Sequence, residues 1–346
     1  MRDRTARRLI SSLGCLWLLW GGGTVLAEHG PNGRPVLDPA LARYVPTAPV
    51  AGSLKIAGSN TMLPLVSRLA SEFRRRHPEA TITVEGGGSS TAVKEFVNPS
   101  GSSPSPQPAL IVASSRRLSG TEMKEFKTRR GHDPQAVPIA VDAVGIYVHR
   151  DNPVSSLTLE QVDAVFSATR HRGYPTAITR WGQLGLADEW NNVPIALYGR
   201  DQKSGTRAFV REHVLENGEF VAQVHEEPGA ASVILALSRD PYGMGYSGIG
   251  LQASTVRTVP LAEKEGLPFV EPTAESVMDG SYPLRRLLYL YVDTSPRGAL
   301  SPIVQEFLAF ANSREGQEVV VKTGFYPLPL TQVEQSLAAV VSPTQR

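Results

Sequence analysis

Four short segments of this 346-residue chain share one composition, a glycine or other small residue followed by hydroxyl side chains. They are Gly58-Ser59-Asn60-Thr61, Gly86-Gly87-Gly88-Ser89-Ser90-Thr91, Ala113-Ser114-Ser115-Arg116 and Arg200-Asp201-Gln202-Lys203-Ser204-Gly205-Thr206. Each stands where a short apolar run ends and a helical repeat begins. The start of a helix leaves N–H groups unpaired and carries the positive end of the dipole, so it suits an anion. Glycine lets the backbone approach a ligand, and serine or threonine hydroxyls add donors. Arg116 and Arg200 add bidentate, charge-assisted bonds that match a tetrahedral oxyanion. A single serine or threonine at a helix start is an ordinary N-cap. Four such junctions in one chain, two of them with arginine, point to a binding site for a small oxyanion.

Catalytic constellations are harder to assemble. Lys203-Ser204-Gly205 has the composition of a penicillin-recognising triplet, but no Ser-x-x-Lys supplies a nucleophile. The Gly-x-Ser-x-Gly elbow is absent, and Lys203 lacks the upstream glycines of a phosphate-binding P-loop. The seven histidines never fall at metal-ligand spacing, and one cysteine cannot build a zinc site or a disulfide framework. The expectation is therefore a binding protein, not an enzyme, with no metal and no cofactor. With 35 Lys+Arg against 33 Asp+Glu there is no basic footprint for nucleic acid.

The elements that must carry these junctions alternate strand and helix. Leu54–Ala57, Thr81–Glu85 and Leu110–Ala113 are β-type runs, each followed by apolar residues at helical spacing, such as Met62, Leu65, Val66, Leu69 and Phe73. Val137–His149 is a long β-type run and Val154–Phe166 a short helix. Val193–Tyr198 is a strand, and Ser204–Leu215 a helix. Gly243–Tyr246, Leu287–Val292 and a helix over Ile303–Phe310 follow. Such βα alternation predicts parallel sheets with covered faces, and ligand sites of these folds lie beyond the carboxyl ends of the strands. Asn98–Pro108 is a low-complexity loop, and 28–50 an irregular leader.

Residues 1–27 predict a cleaved signal peptide. Arg2, Arg4, Arg7 and Arg8 precede an apolar run too short to span a membrane, and Val25-Leu26-Ala27 offers a cleavage site. Cleavage there would remove Cys15 and move the formal charge from +2 to about −1. The product would be periplasmic or secreted.

The junctions resemble those of the phosphate-binding proteins of bacterial ABC transporters, the PstS family, from about Ser53 to Leu330. Gly58–Met62 is similar to the family's first anion loop, Gly86–Lys94 to its second, and Arg200–Thr206 to its Arg-x-x-x-Ser-Gly-Thr motif. Tyr282–Val292 and Gly324–Leu328 also look familial, as carriers of fold. The resemblance implies an α/β, two-lobed, type II periplasmic-binding-protein fold with the ligand in the inter-lobe cleft and two crossing strands as hinge. Lobe 1 would comprise 51–140 plus 251–340 and lobe 2 would comprise 141–250, with hinges near Val141 and Tyr246–Gly250. It implies phosphate contacts from Thr61, Met62, Ser89, Arg200, Ser204, Gly205 and Thr206, with Ser115 and Arg116 in the third loop. Some members carry an aspartate in that loop, where it accepts a hydrogen bond from protonated phosphate and repels sulfate. Here Ser115 stands in its place, and Asp142 is the expected replacement acceptor, the alternative being a structural aspartate near the hinge. Expected partners are inorganic phosphate or a related oxyanion and a membrane permease with its ATPase, the protein itself being a monomer. The competing readings are a sulfate or molybdate binder, a phosphate sensor or adhesion protein without a transporter, and a secreted phosphatase.

Overall fold

The computed structural model describes residues 35–47, 49–99, 109–251, 253–294 and 300–340. The expected signal peptide and most of the Asn98–Pro108 loop lie outside the described residues. Strand β1 (Gly52–Gly58) leads into helix α1 (Leu63–Arg76), β2 (Ala80–Glu85) into α2 (Ser89–Val97), and β3 (Ala109–Ser114) into α3 (Gly120–Arg130). Helix α1 forms because Leu65, Val66, Leu69, Ala70 and Phe73 share one buried face, and Arg74–Arg76 complement the negative end of its dipole. Strand β1 lies between β2 and β3, parallel to both. All three strands therefore release their chain at one edge, and the first three hydroxyl-bearing junctions meet there.

The long β-type run is strand β4 (Gln135–His149), fifteen residues and almost wholly buried. It is followed by β5 (Leu157–Thr158), α4 (Leu159–Phe166), β6 (Ala196–Arg200), α5 (Gly205–His213), β7 (His225–Glu227), α6 (Ala230–Leu237) and β8 (Gly243–Gly248). Then come β9 (Val256–Thr258), β10 (Leu261–Ala262), α7 (Ala274–Asp279), β11 (Arg285–Val292), α8 (Pro302–Ala311), α9 (Arg314–Lys322) and α10 (Leu330–Val340). The helix expected from Val154 starts only at Leu159. A capping box between Thr158 and Gln161 sets that start.

Strand order is β2-β1-β3-β11-β4-β8-β6-β7, with β9 also on β4. Strand β4 belongs to both halves of this arrangement. Its residues Gln135–Ala143 pair with β11, Val144–Val148 pair with β8, and Tyr147–His149 pair with β9. A separate hydrophobic core fills each half. One gathers Phe73, Phe307 and Phe310, the other Phe166, Trp181 and Phe209. The packing carries the second half past residue 250. Strand β9 pairs with β4, β10 pairs with β5, and Val277, Tyr282 and Leu284 join the Trp181 core. Tyr246 is also in that core, so β8 stays with the second half. The chain returns to the first half as it enters β11, where Arg286 stands opposite Asp142 in register.

The leader beyond Asp38 is held down by polar contacts. The Tyr44 hydroxyl donates to Glu306 Oε2 (2.6 Å) and meets His77 Nε2 (2.7 Å). The Tyr44 N–H donates to Glu315 Oε2 (2.7 Å), and the Val50 N–H donates to His77 Nδ1 (3.3 Å).

Candidate functional site

The loops after β1, β2 and β3 are laced together by backbone bonds. The Ser59 N–H donates to the Ala113 carbonyl (2.8 Å) and the Gly88 N–H to the Gly58 carbonyl (2.9 Å). Met62 caps α1, but its N–H donates to the Ser59 carbonyl (3.1 Å) and its side chain is core. In this loop Thr61 reaches the other half. Its Oγ1 lies 3.2 Å from Thr206 Oγ1 and accepts from Arg200 Nη1 (3.4 Å).

A second hydroxyl group lies one residue away along α5. Ser89 Oγ accepts from the Ser115 N–H (3.2 Å) and is 3.3 Å from Ser115 Oγ, both residues being fully buried. Gly205, the first residue of α5, lies against this pair, and a Cβ there would collide with both serine oxygens. Gly88, at φ +94°, lies equally close to the Lys203 carbonyl, which also accepts the Ser90 N–H (3.1 Å). The amino ends of α2 and α5 therefore face one another at close range, one from each half. Asn60 adds a bond across the same seam, its Nδ2 donating to the Pro228 carbonyl (3.0 Å), which Arg200 Nη2 also reaches (3.2 Å). Ser204 caps α5 by accepting from the Thr206 and Arg207 N–H groups, so its oxygen is engaged locally.

Three buried charges occupy the centre. Arg200, Arg286 and Asp142 are 1%, 4% and 0% exposed. Arg286 donates through Nε (2.9 Å) and Nη2 (2.7 Å) to the same carboxylate oxygen, Asp142 Oδ2, and through Nη1 to Thr206 Oγ1 (3.0 Å). Asp142 Oδ1 and Arg200 Nε have no hydrogen-bond partner among the described residues. Burial pushes the Asp142 carboxyl above its usual range, against the pull of Arg286. Burial, with Arg286 nearby, lowers Arg200. Two buried guanidiniums stand against one buried carboxylate, with the Asp201 carboxylate acting on Arg200 from the next residue, and the unpartnered Arg200 Nε is a charged donor suited to an anion. The surrounding hydroxyls and helix N-termini are donors, and Asp142 Oδ1 is an acceptor among them.

Arg116 does not reach this centre. Both its Nη atoms donate to Glu122 (2.7 Å each), the glutamate of the α3 capping box. Burial works against the Glu122 carboxylate, but Arg116 and Ser119 outweigh it and hold its pKa below the usual value. Arg116 thus fastens the third loop to α3. Arg286 was not among the expected site residues, because Tyr282–Val292 reads as a fold segment. The signal was the Arg285-Arg286 pair opening an apolar strand. Alternation sends the two side chains to opposite faces, and Arg285 goes outward to the Val277 carbonyl (2.8 Å).

A cleft of about 520 Å³ lies elsewhere, at the amino ends of β1 and β3, lined by Val50, Gly52, Ala109 and Ile303 among others. Such a lining lacks the convergent charges of the central site. Among the described residues no cluster of histidine and acidic side chains could hold a metal ion.

Residues 45–315 match the model of a PBP superfamily domain. The chain is 41% identical over 301 residues to the phosphate-binding protein PstS of Pseudomonas aeruginosa, covering 87% of this chain and 91% of that one. It is 26% identical over 287 residues to the Bacillus subtilis protein of the same name, covering 82% and 83%. An ABC-type phosphate transport receptor from Vibrio cholerae superposes with a TM-score of 0.61 at 21% identity, over 80% of this chain and 100% of that one, a likeness of fold.

Proposed function

The chain belongs to the PstS family within the PBP superfamily, and on that footing we propose that it captures inorganic phosphate between its two lobes and delivers it to an ABC importer. The observation that carries this reading is the pairing of two buried guanidiniums, one with an unpartnered nitrogen, with the free carboxylate oxygen of Asp142. Arg200 and Arg286 ask for an anion, and Asp142 Oδ1 asks that the anion still carry a proton. At neutral pH phosphate has that proton and sulfate does not. Thr61, Ser89, Ser115, Gly205 and Thr206 would donate hydroxyls and N–H groups, and Ser204 would hold α5 in place. Met62 and Arg116 would act only by shaping their loops.

We take the lobes as 51–140 plus 285–340 and 141–284, a division supported by the pairing of β9 with β4 and of β10 with β5 and by the place of Val277, Tyr282 and Leu284 in the Trp181 core. Strand β4 and the entry to β11 cross between them, and the Asp142–Arg286 pair lies at that crossing. Once the lobes close, the anion is out of water and each donor acts in a low effective dielectric. Residues 1–27 would direct export, and the permease and ATPase would meet the outer lobe surfaces. The test is calorimetric titration of the protein without residues 1–27 with phosphate, arsenate, sulfate and molybdate at two pH values. Phosphate and arsenate are expected to bind and sulfate to bind far more weakly. Sulfate binding tighter than phosphate would end the phosphate assignment.

A further inference from the structure

Arg286 spends its bonds unevenly. Two of its nitrogens go to one oxygen of Asp142, and the third goes to Thr206 Oγ1. A side-on carboxylate pair that used both oxygens would consume the acceptor. This arrangement consumes only Oδ2 and leaves Oδ1 unpartnered. The bond from Nη1 likewise occupies a lone pair of Thr206, which turns that hydroxyl's own hydrogen away from Arg286.

We propose that Arg286 is the positioning residue for selectivity, holding Asp142 as an oriented carboxylate and Thr206 as a donor, so that the site requires a protonated oxyanion. The proposal rests on the phosphate reading above. Asp142 is fully buried, and without a cation its carboxyl would take up a proton. A protonated Asp142 is a donor. It would then suit a fully ionised oxyanion such as sulfate and offer the proton of phosphate no acceptor. Arg286 is the charged group that opposes this inversion, with the Ala143 N–H acting in the same direction. The groups facing Asp142 are Arg286 from β11, Tyr326 from the segment bridged to Val141, and Tyr147 on β4 itself, with Arg200 from β6 facing Arg286. Arg286 is the sole cation in direct contact with the carboxylate among the described residues.

The experiment is a double-mutant cycle read as the phosphate-to-sulfate affinity ratio, by calorimetry between pH 5 and 8. Wild type, Arg286→Met, Asp142→Asn and the double variant are compared. Arg286→Met is expected to lower the ratio by about tenfold or more, with sulfate affinity falling less than phosphate affinity. In the Asp142→Asn background the same substitution is expected to leave the ratio unchanged, because the effect passes through Asp142. Arg286→Lys keeps the charge and is expected to restore most of the ratio. If Arg286→Met does not fold, the cycle is run with Arg286→Lys and its double variant, where a smaller loss of ratio must again vanish in the Asp142→Asn background. Equal loss of both anions at constant ratio, or an undiminished effect in the Asp142→Asn background, overturns the proposal. A wild-type protein that binds no phosphate would instead remove the reading on which it rests.

Discussion

Thr206 is the residue on which the two halves of the site converge, since it touches Arg286 from one side and Thr61 from the other. Replacing it with valine keeps the shape and removes the oxygen. Arg286 Nη1 then loses its acceptor inside a dry site, at a cost of about 1–3 kcal/mol. Thr206→Val is expected to weaken phosphate binding about tenfold or more, and Thr206→Ser to recover most of it, as measured by calorimetry. A valine variant with full affinity would show that the hydroxyl is only a spectator. Thr61, Ser89, Ser115, Arg200 and Gly205 could be named as candidates from the sequence, and the structure gathers them, because helix starts rich in hydroxyls have one chemistry wherever they occur. Arg286 was not, since a strand residue acquires its meaning from the partner strand, and register is not written in a local run. Arg116 stands apart from that cluster for a related reason, since Glu122, six residues on, claims its guanidinium.

Among the elements, the βα units from Gly52 to Arg130 followed the hydrophobic periodicity closely, as did β4 and α5. Short pieces such as β7, β9, β10 and α7 did not show, because two to six residues are too few to display a period and they form by docking on neighbours. The facing of α2 against α5 was also beyond a local reading. It depends on Gly88, whose positive φ and closeness to the Lys203 carbonyl leave no space for a side chain. Gly88→Ala would strain the α2 entry by about 1–2 kcal/mol and push the two helix ends apart. The expected result is a folded protein with at least about tenfold weaker phosphate binding and a larger radius of gyration with phosphate present, by small-angle X-ray scattering. An unchanged radius and affinity would show that the seam tolerates the methyl group.

At the scale of the whole molecule, the end of the leader, with Tyr44 and Val50, is part of the fold and is held by a titratable latch. His77 Nδ1 accepts from Val50, so its proton is on Nε2, shared with Tyr44. Burial lowers the His77 pKa, only partly opposed by Glu306. The unfolded chain, with its histidine near about 6.5, therefore takes up a proton before the folded one does. Stability that His77 contributes above that value is lost as pH falls below it toward the lower folded pKa. His77→Gln is expected to flatten the fall of Tm between pH 7.5 and 5.5 (by scanning calorimetry), and an equally steep fall in the variant would exclude the latch.

Strand β4 has a further consequence. It is one uninterrupted ribbon, hydrogen-bonded to β11 along its first part and to β8 and β9 along its second. Any swing of one lobe against the other must be taken up as torsion in that ribbon and in the entry to β11 beside it, with Asp142 near the axis and the lobe tips far from it. Movement at the axis is small and at the tips large. A neighbouring molecule at the tips would thus read an angle, and never needs to touch the anion that sets it.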